Sequence, residues 1–494
     1  MGTRTESLED RLRADGKAYW ATVAALCLIL AGLSTAAILL FDPPIVLGLV
    51  LGGLVALVIL RSTGAGLVAL MAVAILLPFG AIPVNLGFFP TFLDLALVGF
   101  LLVWVVRLAT RTQERWRGSA LDVPIALFLL LTLASFLAGT GHAELDKEII
   151  RHYVEVVLAI VLYYAVINTV VRASSLRRAI RVLILLGFAE AALGVVLYLL
   201  PRSATVGILS SLAVFHYPSG PGVLRFIEDN PLLSLRAVGS AIDPNVLGGM
   251  LILVGGVAGA QVLARQPLLP RWASWPILGI LGLAMLLTFS RGALAGLVVA
   301  WGFLGIVRYR RLLPILAGTA LLLLLLPQTQ GYVSHFLEGV RGEDLATQMR
   351  FGEYKDALIL IRRFPLFGVG FGGAPSIDLY IGVSSVYLLM AENMGLVGLG
   401  TFLLIMGVFF QNTWQARRRM GVGSEGEAIL LGLQASVLGA LTGGVFDHYF
   451  FNLDFPHSVV LFWMVVGLAI ATVRVHGEGR LEASGPRIRR FSQG

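Results

Sequence analysis

The sequence predicts an all-α membrane protein that crosses the bilayer about fourteen times (twelve to fourteen). Hydrophobic residues make up 57% of the 494 residues, only 13% are charged, and the mean hydropathy is +0.87. Soluble domains carry about 25% charged residues. Apolar runs of membrane-spanning length recur from one end of the chain to the other. The fold class is therefore a polytopic helical membrane protein.

Each predicted span is an apolar run of roughly 16–27 residues. The spans lie at 18–41, 44–60, 65–83, 91–106, 123–139, 152–171, 182–200, 244–264, 273–289, 292–307, 313–327, 384–410, 427–446 and 458–473. The first run exceeds a signal-peptide core and has no small-residue cleavage site before Phe41, which favours a retained span. Cys27, the only cysteine, lies in this run, so the sequence predicts neither a disulfide framework nor a thiolate metal site.

The basic residues predict the orientation. With the N-terminus in the cytoplasm, the cytoplasmic segments hold 26 of the 37 Lys and Arg residues, as the positive-inside rule expects. The pI near 9.8 therefore reflects topology, and no nucleic-acid partner is predicted. The predicted organisation is a cytoplasmic N-terminus (1–17), spans one to eleven (18–327) with an outer loop (201–243), a long periplasmic loop (328–383), spans twelve to fourteen (384–473) and a basic cytoplasmic tail (474–494).

Arg291 interrupts an apolar stretch that is too long for one span. Between Arg271 and Arg308 lie 36 residues whose only charge is Arg291. As one helix they would extend about 54 Å, far beyond a hydrocarbon core of about 30 Å. The stretch must be two helices that turn at 290–292, on the outer face. Arg291 is then either an arginine that reaches the headgroups or an anion-binding arginine in an outward cavity.

The two longest outer loops carry further candidates. The loop at 201–243 contains Arg225 and Arg236 and ends in Asp243-Pro244-Asn245, a helix start. In the second loop, GEDLATQMRFGEYKDALILIRRF has apolar residues at helical spacing, which predicts an amphipathic helix on the membrane surface. The apolar positions are Met349, Ala357, Leu358 and Ile361.

The glycine-rich turn PLFGVGFGGAPS follows this helix and includes Gly370. It is not a dinucleotide-binding fingerprint, since no βαβ unit surrounds it. A flexible connector and a backbone cradle for phosphate are equally consistent with the sequence.

Two clusters of charged residues lie elsewhere on the predicted outer face. Asp447-His448-Tyr449 is followed by Asp454 and His457, but the spacing favours a structural or acceptor-binding role over a metal site. Arg151-His152 opens the sixth span, and Glu155 follows four residues after Arg151, a pairing distance in a helix. Glu190 and Glu392 lie within spans and should face the protein interior.

Several of these motifs, taken in order, resemble the O-antigen ligase and polymerase family. They are DPNVLGGML, LLTFSRGALAGL, MRFGEYKDALILIRRFPLFGVGFGG, VYLLMAENMGLVGLG and GGVFDHYFFNLDF. The resemblance covers the C-terminal half. It implies a membrane glycosyltransferase that moves a glycan from an undecaprenyl-pyrophosphate carrier to a sugar hydroxyl at the outer leaflet of the bacterial inner membrane, which is the predicted location. The implied partners are this lipid-linked oligosaccharide, a glycan or glycolipid acceptor, membrane lipid and other polysaccharide-assembly proteins.

The pyrophosphate leaving group explains why arginines matter, since a guanidinium engages phosphate oxygens bidentately and stays charged. Preorganised guanidiniums would stabilise the transition state without a metal or other cofactor. The predicted catalytic residues are Arg291, Arg236, Arg350 and His448. The predicted substrate-binding residues are Arg225, Arg151, Ser384, Asp243, Asn245, Gly370, Asp447 and Tyr387.

One position departs from the family pattern. Ligases of this family place a histidine, then Asn, Ser or Gln, then nine residues before a Gly-x-x-Gly; here Gly395 and Gly398 supply the glycines and Ser384 occupies the histidine position. Serine cannot act as a base near neutral pH as imidazole can. The sequence therefore favours a polymerase over a ligase, with His448 as the substitute histidine. A transporter of a lipid-linked or anionic solute, and a non-catalytic assembly protein, are the alternatives of other classes.

Overall fold

A computed structural model describes most of the chain. The described residues are 62–83, 87–110, 116–141, 146–325, 330, 333–334, 337, 341–342, 344–372 and 383–483. The predicted N-terminus (1–17), the first two predicted spans (18–41 and 44–60) and much of the basic tail lie outside these residues. The periplasmic loop predicted at 328–383 is described only in part.

The described chain is almost entirely helical. Its helices are α1 (Thr63–Leu76), α2 (Phe92–Ala109), α3 (Asp122–Gly139), α4 (Lys147–Thr169), α5 (Ala173–Leu199), α6 (Arg202–Ser211), α7 (Pro244–Leu263), α8 (Arg271–Leu287), α9 (Arg291–Val307), α10 (Leu312–Leu325), α11 (Leu345–Arg363), α12 (Val386–Arg419), α13 (Glu425–Gly443) and α14 (Pro456–Ala483). The strands β1 (Arg225–Phe226) and β2 (Leu235–Arg236) form an antiparallel pair.

Within the described residues, eight helices are long and apolar enough to cross a membrane: α2, α3, α4, α5, α7, α12, α13 and α14. The helices α1, α8, α9 and α10 are shorter but apolar. The prediction of a multi-pass helical membrane protein is confirmed, whereas the number of fourteen crossings stays a prediction. Helix α12 is longer than the span predicted at 384–410, because it continues to Arg419.

The centre of the bundle is α7, which packs against α5, α8, α9 and α13. Small residues allow the closest approach, between α9 and α13: a Cβ added to Gly296 would lie 2.6 Å from the Gly439 carbonyl oxygen. Such contacts are typical of membrane helices, whose association depends on close packing because lipid is as apolar as the helix surface.

The predicted break into two helices is present, but it lies at 288–290 and not at the predicted 290–292. Helix α8 ends at Leu287 and α9 begins at Arg291, with Ser290 as the extended N-cap residue. Phe289 between them has a φ of 50°, in the left-handed region that non-glycine residues rarely adopt. The break between the helices therefore takes three residues and places Arg291 at a helix N-terminus.

The loop predicted at 201–243 is more regular than expected, since it contains α6, short 3₁₀ turns and the β1–β2 ribbon. A buried carboxylate ties it to the bundle: Glu190 of α5 accepts a hydrogen bond of 2.6 Å from the Ser240 amide. Glu190 thus faces the interior as predicted, although its partner is backbone and not an arginine.

The amphipathic helix is present as α11, but its buried face differs from the prediction. Ala357, Leu360 and Ile361 are buried against the protein, whereas Met349 and Leu358 are about half exposed. The buried residues pack toward α12. Only part of the predicted apolar face of α11 is therefore buried against the bundle, and the rest of that face is exposed.

The glycine-rich turn after α11 fills a kink in α12. Gly395, with a φ of 68°, interrupts α12, and the Leu396 amide donates to the Pro365 carbonyl instead of within the helix. The amides of Val369 and Gly370 donate to the Glu392 and Asn393 carbonyls at 2.8 and 3.0 Å. The turn therefore satisfies backbone groups that the kink leaves without helical partners.

Candidate active site

Three arginines from separate segments surround one cavity of about 90 Å³, here called the arginine cavity. Arg236 comes from β2, Arg291 is the first residue of α9, and Arg350 comes from α11. The rest of the lining is Ile227, Glu228, Asn245, Phe289 and Ser290. The structure thus brings together all three arginines predicted to be catalytic, along with the predicted substrate-binding Asn245.

Arg291 is held in place by a carboxylate that sequence analysis missed. Its Nη2 lies 2.5 Å from Oδ2 of Asp344, whose side chain is fully buried. Burial raises the pKa of Asp344, but hydrogen bonds from Arg291 and Thr347 and the Arg291 charge outweigh it and lower this pKa below its usual value. Asp344 is therefore ionised at neutral pH and fixes the orientation of the guanidinium.

Arg236 is fixed by two hydrogen bonds. Its Nε donates to the Thr288 carbonyl at 2.8 Å, and its Nη2 donates to the Asn245 side-chain oxygen at 2.7 Å. Burial lowers the pKa of Arg236 to about 10, against the opposing charges of Asp243 and Asp447. The side chain is therefore still cationic at neutral pH, and its position is set by the α8–α9 turn and by α7.

Acidic residues allow three like charges to share this small volume. Glu228 lines the cavity, and the charges of Asp243 and Asp447 act on Arg236. Asp243 is also the N-cap of α7, where its Oδ1 accepts from the amides of Asn245 and Val246. Burial raises the pKa of Asp447, against the opposing charges of His448 and Arg350. The three guanidiniums therefore lie among the carboxyl groups of Glu228, Asp243, Asp344 and Asp447, and the N-terminus of α9 adds positive potential.

A second cavity of about 650 Å³, here called the chamber, is lined in part by Arg225 of the ribbon and by the residues that precede α7. Arg225 pairs with Arg236 across the ribbon, so their side chains leave the same face about 5 Å apart. Arg225 lines the chamber, and its Nε donates to the Ile242 carbonyl at 3.2 Å. Ile242 and Asp243 also line the chamber, so the two cavities are neighbours.

The chamber contains three of the predicted substrate-binding residues, Arg151, Arg225 and Asp243. Arg151 donates to the Phe89 carbonyl at 2.8 Å and lies 2.6 Å from His152 Nε2 and 3.8 Å from Glu155. The predicted Arg151–Glu155 pairing is thus present. The remaining polar and aromatic lining is Thr91, Glu148, His152, His216, Asp454, Phe79, Phe88, Phe89 and Phe455.

The predicted residues Ser384, Asp447 and His448 line neither cavity but lie near one another behind them. The Ser384 amide donates to Glu353 at 2.9 Å, and the hydroxyl of Tyr354 donates to the Ser384 carbonyl at 3.1 Å. Tyr354 lies one helical turn from Arg350 on α11. The Asp447 carbonyl accepts from Val386 at 3.1 Å, close to Ser384 in the chain.

His448 contacts the chamber wall from behind. Its Nδ1 lies 2.9 Å from Asn452 Nδ2, and its ring stacks on Phe455 at 5.8 Å between centroids. Nδ1 is therefore engaged by Asn452. His457 is buried instead, edge-on to Phe79. Among the described residues, no group of three or more His, Cys, Asp or Glu side chains is arranged to hold a metal ion.

Two predicted substrate-binding residues have packing roles in the structure. Tyr387 donates its hydroxyl proton to the Leu441 carbonyl at 2.7 Å, joining α12 to α13. Gly370 is buried, and a Cβ there would lie 2.5 Å from the Cα of Gly139. Its amide donates to the Asn393 carbonyl, so Gly370 packs into the α12 kink.

Asp344, Glu148 and His216 are the functional candidates that sequence analysis missed. Asp344 stands directly before α11, but it lies 53 residues from Arg291, and no spacing rule links them. Glu148 follows the N-cap of α4 and resembles any acidic residue in a first helical turn. A search for acidic residues beside the predicted helix starts on the outer face would have found Asp344 and Glu148.

Comparisons with known proteins identify one related family. No curated protein matches the chain. The family model that matches is described as O-antigen ligase, and it covers residues 276–403, a region that includes Arg291, Asp344 and Arg350. This match confirms the resemblance to the O-antigen ligase and polymerase family of membrane glycosyltransferases.

Proposed function

We propose that the protein transfers a glycan from an undecaprenyl-pyrophosphate carrier to a sugar hydroxyl at the periplasmic face of the bacterial inner membrane. The observation that carries this proposal is the convergence of Arg236, Arg291 and Arg350 on one cavity. Three guanidiniums at a helix N-terminus suit a pyrophosphate, whose negative charge grows as the bond to the sugar breaks.

The proposed reaction is a displacement at the anomeric carbon of the donor sugar. The acceptor hydroxyl oxygen forms a bond to this carbon, and the bond between the carbon and the pyrophosphate oxygen breaks. The carrier leaves as undecaprenyl pyrophosphate with the bonding electron pair, which the arginines stabilise. The hydroxyl proton passes to a base, for which His448 Nε2 is our candidate.

A polymerase, which uses a second lipid-linked repeat unit as acceptor, is the favoured form of this proposal because Ser384 replaces the ligase histidine. A ligase, which transfers to a lipid A core or similar acceptor, is the alternative. It is favoured by the description of the matching family model, O-antigen ligase.

Purified protein in lipid should convert undecaprenyl-pyrophosphate-linked repeat units into a ladder of longer chains and free carrier pyrophosphate. We expect the ladder to persist after EDTA treatment, because the arginines supply the charge that a metal supplies elsewhere. The products are separated by length, and the same protein without donor is the control. Loss of the ladder with EDTA and recovery with a divalent cation would contradict metal independence. Transfer only after adding a lipid A core would establish the ligase alternative.

Labelling of single cysteines tests the proposed orientation. In a Cys27→Ser background, we expect a membrane-impermeant thiol reagent added to intact cells to label Leu232→Cys but not Val422→Cys. Both side chains are well exposed, at 93% and 70%, and they lie in segments predicted to be periplasmic and cytoplasmic. Lysed cells, in which both cysteines should react, are the control. The opposite labelling pattern would invert the proposed topology.

A further inference from the structure

A third concavity of about 530 Å³ runs between α2 and α4 and is here called the apolar groove. Its surface is mostly apolar, from Leu95 and Val98 on α2 and Ile150, Val154 and Leu158 on α4. Lys147, Arg151, Asp94 and Glu155 lie along its lining as well. The groove shares Phe88 and Arg151 with the chamber, so the two spaces meet at these side chains.

We propose that the groove and the chamber together form the binding site of a membrane-anchored glycolipid acceptor, with its saccharide in the chamber and its apolar chain in the groove. This inference rests on the proposed function. It assigns the acceptor to the α2–α4 side of the molecule, next to the arginine cavity but not within it.

The chemistry of the chamber suits a saccharide more than a simple anion. Glu148, Asp243 and Asp454 face Arg151 and Arg225, so the chamber has no strong excess of positive charge. Carboxylates accept hydrogen bonds from sugar hydroxyls, and guanidiniums donate to sugar oxygens. The phenylalanine walls offer apolar surfaces to sugar rings. A volume of about 650 Å³ lies within the usual range of ligand sites.

The walls of the groove suit a chain that arrives from the bilayer. Both α2 and α4 are candidate spans, and the side chains of Leu95, Val98, Ile150 and Val154 are 43–49% exposed. In a membrane these faces contact lipid, so a chain can move sideways into the groove without crossing water. Because lipid is as apolar as the groove, the chain gains little affinity there. The groove instead holds the chain beside the chamber, which raises the effective concentration of the attached saccharide there.

The apolar groove and the chamber are assigned to the acceptor because they connect with each other and not with the arginine cavity. The groove opens to the chamber through Phe88 and Arg151, whereas the arginine cavity shares none of its lining residues with either space. Arg151 is fixed at the junction by Phe89, His152 and Glu155. Arg225 and Asp243 form the chamber wall next to Arg236 and Asn245. An acceptor hydroxyl in the chamber would therefore face a donor held by the arginines.

Bulky side chains in the groove test the inference kinetically. We expect Val98→Trp and Val154→Trp to lower, at least tenfold, the ratio of kcat/KM for a repeat unit on a long polyprenyl chain to kcat/KM for the same saccharide with a methyl aglycone. Leu102→Trp is the matched control, since Leu102 is on α2, 60% exposed and outside the groove, and it should leave the ratio unchanged. An unchanged ratio in the two groove variants, or an equal fall in the control, would overturn the inference.

A binding measurement separates this inference from the proposed function, because it needs no catalysis. Hexadecyl glucoside with a diazirine near the end of its chain is photolysed with the protein in lipid. We expect labelled peptides mainly from α2 and α4, with labelling reduced at least fivefold by Val98→Trp and unaffected by Leu102→Trp. Labelling spread evenly over the lipid-facing helices would refute the groove even if the protein transfers glycan. Focused labelling without any transfer would leave the site standing and reject the proposed function.

Discussion

We expect Arg291→Ala to lower kcat for glycan transfer by about a thousandfold, equivalent to about 4 kcal/mol of transition-state stabilisation. Arg291 supplies a fixed guanidinium at the N-terminus of α9, where the pyrophosphate charge would develop. The effect should appear in kcat more than in the KM of the donor, because the charge grows only as the sugar–oxygen bond breaks. Initial rates of carrier release, measured with purified variants in lipid, provide the test.

Two further variants separate lost charge from lost folding. Arg291→Ala leaves the Asp344 carboxylate buried without its partner, a change that can cost about 3–5 kcal/mol of stability. The double variant Arg291→Gln with Asp344→Asn removes both charges, so it should fold normally and still be inactive. Arg271→Ala, at the exposed start of α8, is the matched control and should retain full activity. A folded double variant with normal transfer would exclude a catalytic role for Arg291.

The break before Arg291 could be predicted from sequence because it follows from length and charge alone. A run of 36 residues cannot form one span, and one arginine marks the only position where the chain can reach water. The helix start at Asp243-Pro244 could also be predicted from sequence, because an N-cap carboxylate and a proline at the first helical position are local features. Local rules thus located two of the segments that build the arginine cavity.

Contacts between distant residues could not be predicted in this way. The ribbon consists of only two residues per strand, too short for an alternating pattern. Asp344 reaches Arg291 only because α11 docks on the bundle, and the chamber needs side chains from segments as far apart as Phe79 and Phe455. The kink at Gly395 has no local signal in the sequence, so the contact of the glycine-rich turn with the kink could not be predicted.

The β1–β2 ribbon contains an unfavourable pair of like charges that serves the candidate site. Arg225 and Arg236 stand directly opposite each other, where like charges destabilise a strand pair. Each guanidinium is instead held by hydrogen bonds to a neighbouring segment, Arg225 to Ile242 and Arg236 to Thr288 and Asn245. Such local conflicts are expected at functional sites. Here the conflict puts one cation in each of the two neighbouring cavities.

Arg236→Lys tests whether the fixed position of this charge matters as much as the charge. Lysine keeps the positive charge but cannot donate to Thr288 and Asn245 while also pointing a donor into the cavity. We expect kcat/KM for the donor to fall about a hundredfold, within the range measured for removing one preorganised donor. Arg202→Lys, in the same loop and stacked on Phe226, is the control and should be nearly unchanged.

A double-mutant cycle of Asn245→Ala and Arg236→Lys tests how Asn245 acts. If Asn245 acts by holding Arg236, Asn245→Ala should lower kcat/KM about tenfold alone but add little once Arg236 is lysine. The double variant would then fall about a hundredfold, not a thousandfold. Full additivity would mean that Asn245 contacts the substrate independently of Arg236. A normal rate for Arg236→Lys would mean that charge alone suffices, and the two hydrogen bonds that fix Arg236 would then serve only to join the ribbon to α7 and the α8–α9 turn.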